Sequence, residues 1–242
     1  MDTLLFAVEN KINIVQVYCD NDLIGSPEYM KEIREFARES MIALTCHAPV
    51  PLNEYVESEH ILSAANLLLE NQEEKKIIVH FDEREPLKKM LEHIQKITDA
   101  GLTVCLENYY AAQDGKTFLK NIDTFNSVFG LVKRYSLPVY PVLDFPRLFI
   151  ADIFNKYDSL VLTEQIIDAL SKYHFKVILH LIDFLEYDHS DRDSWCALGR
   201  GLMPYKAIFD YARDQGIVYD HCVLEYEDKK LTLESLETVK DI

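Results

Sequence analysis

Seven short apolar, β-branched runs, each followed by a stretch of helical length, constrain the fold of this chain more than any other feature. The runs fall at 14–19, 42–47, 77–81, 103–107, 139–145, 177–182 and 222–225. They are hydrophobic on both sides, as strands buried between two apolar layers must be, and this is the pattern of a parallel sheet built from βα units. Between them, 27–40, 56–71, 86–100, 118–135, 163–173, 204–215 and 231–239 read as helices. Gly101 and Gly216 follow two of these as C-caps, while Ser26 (with Pro27 behind it) and Thr163 stand as N-caps.

At 242 residues the chain matches a (β/α) barrel, which runs to about 250 residues as one domain. With only 7 Gly and 8 Pro there is no long linker, so the expectation is an α/β fold, a (β/α) TIM barrel, over 1–242 as a single domain. An eight-stranded barrel needs one more strand. The chain opens instead on what reads as a helix, 2–10, so the first strand is expected to be absent, with the barrel open at that edge or the true start upstream.

The 41 acidic side chains against 25 basic give a net charge of −16, which repels polyanions at long range. Nucleic acid is therefore not an expected partner. No apolar run approaches the roughly 20 residues that span a bilayer, and no basic leader precedes the opening stretch. Cys19, Cys46, Cys105, Cys196 and Cys222 are odd in number and scattered without a CxxC spacing, which reads as reduced, mostly buried thiols of a cytoplasmic protein.

Working residues of parallel barrels gather at the C-terminal ends of the strands. Here those ends present, in order, His47, His80, Glu107, Asp144, His180 and Glu225. Any one of them has a bland explanation as a satisfied core histidine or a helix N-cap. Six in succession are harder to explain that way, because carboxylates converging on one rim repel unless a cation holds them. Three carboxylates and one imidazole form a mostly hard donor set, suited to Mn2+, Mg2+ or Co2+ and also tolerated by Zn2+.

The ordered pattern H…H…E-N…D-x-x-x…H-L-x-D…G-x-G…E, carried by His47, His80, Glu107-Asn108, Asp144, His180-Leu-Ile-Asp183, Gly199-Arg-Gly201 and Glu225, resembles that of the xylose isomerase-like barrels. That family includes sugar isomerases, ketose 3-epimerases, inositol-pathway enzymes and endonuclease IV type repair enzymes, and the resemblance covers essentially the whole chain. It implies one divalent metal on Glu107, Asp144, His180 and Glu225. It also implies that Glu107 and Glu225 are catalytic and exchange protons with the carbon beside the carbonyl of a small sugar or sugar phosphate, through an enediolate that the metal stabilises. His47, His80, Arg147 and Asn108 are then expected to bind substrate. Homo-oligomers are common in the family.

Two departures sharpen this expectation. The repair endonucleases carry D-x-x-H and D-R-H, whose histidines help to hold a third zinc, whereas this chain has Asp144-Phe-Pro-Arg147 and Asp191-Arg-Asp193. Both histidines are missing, which argues against cleavage at abasic DNA. Arg147 is expected either to pair with Asp191 and Asp193 in place of that metal or to point into the cleft toward substrate. Other readings are a dehydratase or lyase acting on a keto-polyol, and a barrel that kept its ligands without turnover. Tyr109, Tyr110, Phe145 and Phe149 are either pocket walls or packing, and Trp195 either a lid or a pocket residue.

Overall fold

The computed structural model describes residues 1–52, 59–82, 84–108, 115–150, 157–186 and 192–239. Their elements are α1 (Asp2–Glu9), β1 (Ile14–Tyr18), α2 (Asn21–Ile24), α3 (Pro27–Glu39), β2 (Ala43–Pro51), α4 (Glu59–Leu68), β3 (Lys76–His80), α5 (Leu87–Asp99), β4 (Thr103–Glu107), α6 (Gly115–Tyr135), β5 (Val139–Asp144), α7 (Ser159–Ser171), β6 (Lys176–Leu181), β7 (Asp183–Phe184), β8 (Trp195–Cys196), α8 (Tyr205–Asp214), β9 (Val218–Leu224) and α9 (Lys229–Val239). The residues group into two compact units, Met1–Glu107 with Tyr135–Tyr140, and Asn108–Arg134 with Pro141–Ile242.

In the first unit β1, β2, β3 and β4 pair in chain order, every pair parallel. In the second, β5, β6 and β9 form a parallel ladder, and β7 and β8 make a small antiparallel hairpin. Parallel strands taken in chain order and separated by helices define an α/β fold of the (β/α) TIM-barrel class. Seven such strands lie among the described residues, where a regular barrel has eight. The strands owe their formation to two-sided burial: Ile77, Ile78 and Val79 of β3 and Val177, Ile178 and Leu179 of β6 have no exposed surface. Among the described residues no helix is long and apolar enough to cross a membrane.

Gly101 and Gly216 carry φ of +81° and +72° beyond the ends of α5 and α8, the left-handed C-terminal turn expected of them. Ser26 is the N-cap residue of α3, with Pro27 behind it as expected, but its hydroxyl donates to the Asp22 carbonyl at 2.9 Å instead of accepting from the helix. One N-terminal expectation is corrected. Thr163 lies buried inside α7 with its hydroxyl on the Ser159 carbonyl at 2.8 Å. The cap is Asp158, whose carboxylate accepts from the Leu160 and Val161 N–H groups at 3.1 and 3.2 Å. Asp158→Ala is expected to lower stability by about 1 kcal/mol in urea unfolding, the usual loss of a helix cap; an unchanged midpoint would show that the cap contributes nothing. Strand β9 starts four residues before its expected start, because Tyr219, Asp220 and His221 hide a strand behind polar residues. His221 Nδ1 and Asp220 Oδ2 pair at 2.7 Å, which lets the strand carry them half-buried.

Candidate functional site

In the first unit, strand registry sets the placement. Tyr18 ends β1 opposite His47, which β2 carries inside the strand rather than at its end as expected, and His80 and Glu107 face each other at the C-terminal ends of β3 and β4. Glu107 is 1% exposed and His47 5%. His47 Nε2 stands 3.2 Å and His80 Nε2 3.6 Å from the same oxygen, Glu107 Oε2. The other ring nitrogen of His47, Nδ1, is 2.8 Å from the Ala48 carbonyl oxygen, which can only accept, so Nδ1 carries a hydrogen. A neutral His47 therefore turns the lone pair of Nε2 toward a carboxylate oxygen, and two acceptors at that distance need a proton or a cation between them. One donor atom from each of His47, His80 and Glu107 lies within 4.8 Å of the others, so the trio fits a divalent ion.

Just past β3, Asp82 is 2% exposed. Burial works against its charge, but Arg84 overrides this, donating from Nε at 2.9 Å, from Nη2 at 2.7 Å and from its backbone N–H at 3.0 Å, and the Asp82 carboxyl is held below the ordinary carboxylate value. A lowered folded-state value means stability that is present above the ordinary carboxylate range and lost as pH falls through the folded value. Asp82→Asn is expected to cost about 1–3 kcal/mol near pH 7, with the gap to the parent closing below about pH 4. Urea unfolding at both pH values reads this, and a gap that stays constant with pH would contradict it.

In the second unit Asp144 lies opposite His180 at the ends of β5 and β6. His180 has no exposed surface, and its Nδ1 meets Glu225 Oε1 at 2.9 Å; Glu225 follows directly on β9, its N–H donating to the Leu181 carbonyl at 3.2 Å. Arg147, in a short 3-10 turn at Phe145–Leu148, donates from Nε to Asp144 Oδ2 at 2.6 Å. Of the acidic partners expected for it, Asp191 lies outside the described residues, and Asp193 sits in a 3-10 turn at Arg192–Ser194. The buried Asn108 side chain docks on the Asp144 backbone: Nδ2 donates to the carbonyl at 3.0 Å and Oδ1 accepts from the N–H at 2.7 Å. It thereby fixes the strand end that carries Asp144.

Phe145 and Phe149 are buried, and Phe145 meets Phe209 edge to face at 6.5 Å, which is packing. Tyr109 and Tyr110 lie outside the described residues. Trp195 pairs with Phe184 in the β7–β8 hairpin, edge-on to Tyr226 at 6.2 Å and with the Arg192 guanidinium 5.8 Å above its ring.

Two residues escaped the reading of the strand ends. Tyr18, 56% exposed, sets its ring 5.5 Å from that of His47. Its position at the end of β1 was the available signal. Asp183, with no exposed surface, accepts from four backbone N–H groups: Phe184 (2.9 Å) and Met203 (3.1 Å) on Oδ1, Gly199 (2.9 Å) and Gly201 (3.0 Å) on Oδ2. Burial pushes its carboxyl up despite those donors. The Asp183 N–H in turn donates to the Tyr226 hydroxyl at 2.9 Å, and that hydroxyl donates to the Cys196 carbonyl at 2.7 Å. The Gly199-Arg-Gly201 segment is thus the cradle of a buried carboxylate as well as a turn before α8.

Solved structures share this fold across nearly the whole chain. A xylose isomerase domain protein from Planctomyces limnophilus matches with a TM-score of 0.68 at 17% identity, covering 98% of this chain and 90% of its own. A D-tagatose 3-epimerase-like protein matches with a TM-score of 0.66 at 16% identity, over 98% of this chain and 94% of its own. An IolI protein with a bound zinc atom matches with a TM-score of 0.63 at 12% identity, over 100% of this chain and 92% of its own. No family model and no curated protein sequence matches the chain. At these identities the shared property is the fold, that of the xylose isomerase-like TIM barrels.

Proposed function

We propose that this chain, folded as a xylose isomerase-like barrel, is a divalent-metal-dependent isomerase or epimerase of a small sugar or sugar phosphate. The observation that carries the reading is the buried Glu107 carboxylate with the Nε2 atoms of His47 and His80 both close to one of its oxygens, a donor set that a divalent cation would satisfy. The likeness to epimerase-type and zinc-bound barrels supports it. Glu107, Asp144, His180 and Glu225 are the residues proposed to hold the catalytic metal, with Mn2+, Mg2+ or Co2+ favoured and Zn2+ compatible. When bound, such an ion supplies a Lewis acid for the carbonyl oxygen of the substrate.

Glu107 and Glu225 are the proposed proton carriers. A carboxylate accepts a proton from carbon and returns it when it is oriented and its surroundings hold charge poorly, and the burial of Glu107 meets that condition. His180, on Glu225 Oε1, orients the second carboxylate. Arg147 and Asn108 hold Asp144 by its carboxylate and its backbone. With His47 and His80 they are also the groups proposed to meet substrate hydroxyl or phosphate oxygens.

The purified protein, loaded with Mn2+ or Co2+, should incorporate deuterium from heavy water at the carbon beside the carbonyl of at least one member of a panel of ketoses and ketose phosphates. Absence of exchange across the panel, with metal content verified, would overturn the reading. The His47, His80 and Glu107 trio also keeps a second reading alive, phosphodiester cleavage at abasic sites. Against it stand the charge of −16 and Arg147 and Asp193 where zinc-binding histidines would be needed. A nicking assay on an abasic duplex with zinc present should show no cleavage.

A further inference from the structure

Cys19 and Cys46 lie outside the proposed chemistry, yet their sulfurs are 2.9 Å apart. Both are buried, at 1% and 0% exposure, and 27 residues separate them in sequence. Cys46 is inside β2, and Cys19 follows the last residue of β1 with its N–H on the His47 carbonyl at 2.9 Å. The backbone therefore holds the two side chains together whatever the state of the thiols. A disulfide has its sulfurs at about 2.05 Å, so the pair need close by less than about 1 Å to bond.

We propose that Cys19 and Cys46 are an oxidisable dithiol, a modification site at which a small-molecule disulfide installs an intramolecular cross-link between the end of β1 and β2. Both sulfurs are shut away from solvent, so the closed pair reacts slowly. Entry comes by opening of β1, the terminal strand of its ladder, whose last residue, Tyr18, is exposed. Cys19 then attacks one sulfur of R–S–S–R, forming a mixed disulfide and releasing R–S⁻, which takes up the proton Cys19 gave up. Cys46 attacks the Cys19 sulfur, the second R–S⁻ leaves, and it takes the proton of Cys46. The protein loses two protons and two electrons, and the small disulfide becomes two thiols.

The test uses the whole protein with a mixture of reduced and oxidised glutathione as the probe. One sample is treated folded, and a second is refolded from denaturant in the same mixture so that burial cannot block reaction. Peptide mapping should find Cys19 joined to Cys46 as the dominant cross-link. The oxidised protein should unfold about 5–10 °C above the reduced form, as expected for a cross-link closing a loop of this length. Added reductant should reverse the rise, and Cys19→Ser and Cys46→Ser should each abolish the cross-link and the rise together. The proposal is overturned if neither sample yields the linked peptide, or if cross-links through Cys105, Cys196 or Cys222 outnumber it.

Discussion

Glu107→Gln is expected to lower the affinity of the protein for a divalent metal by about 100-fold or more while leaving the metal-free fold intact. Losing an outer partner of a metal ligand already costs about 10–100-fold, so losing a charged donor should cost at least as much. The fold should survive because the substituted side chain can satisfy its neighbour. In the neutral tautomer that donates from Nδ1 to the Ala48 carbonyl, Nε2 accepts, and a glutamine amide at position 107 can donate to it. The change also removes the cost of burying a carboxylate. Calorimetric metal titration and urea unfolding of the metal-free protein separate the two effects. Unchanged metal affinity would remove Glu107 from the site, whereas a collapse in metal-free stability would assign it a structural role.

The second large effect is expected at Gly201. A Cβ there would collide with the Asp183 carboxylate and the Phe184 carbonyl, and would lie 2.6 Å from the Asp183 carboxyl carbon. The carboxylate cannot retreat without giving up its four backbone donors. Gly201→Ala is therefore expected to cost about 3 kcal/mol or more in urea unfolding, the upper end of overpacking. Gly101→Ala and Gly216→Ala serve as controls: nothing lies within 4 Å of their Cβ positions, so they should lose only the roughly 1–2 kcal/mol of a left-handed backbone. If Gly201→Ala falls no further than the controls, the carboxylate cradle is not a rigid feature.

The strand ends were largely legible in the sequence: β4 matches its expected bounds at both ends, and β1, β3, β5, β6 and β9 each end one residue before theirs, whereas β2 runs on to Pro51, past the end expected at His47. What escaped reading depended on the backbone. Asp183 and the Gly199-Arg-Gly201 segment could be seen as separate motifs, but the bond between them runs from a side chain to N–H groups, which leave no mark in residue types. The start of α7 was misplaced for a related reason: Asp158 caps it through backbone donors, while Thr163 looks like a cap and is instead a buried helix residue. The β7–β8 hairpin, two residues on each side, is too short to show a period. Asp82 and Arg84 stand two apart with nothing in their residue types to show that Asp82 is buried while the guanidinium that holds its charge stays exposed.

The central claim is that carboxylate and histidine donors at the strand ends hold a divalent metal. Anomalous diffraction from crystals of the protein loaded with Mn2+ or Co2+ tests it directly. The account predicts a strong anomalous peak at about 2.0–2.5 Å from a Glu107 carboxylate oxygen, a bonding distance for such ions. Crystals grown with the metal in excess that show no peak at Glu107, or show peaks only at surface carboxylates, would contradict it.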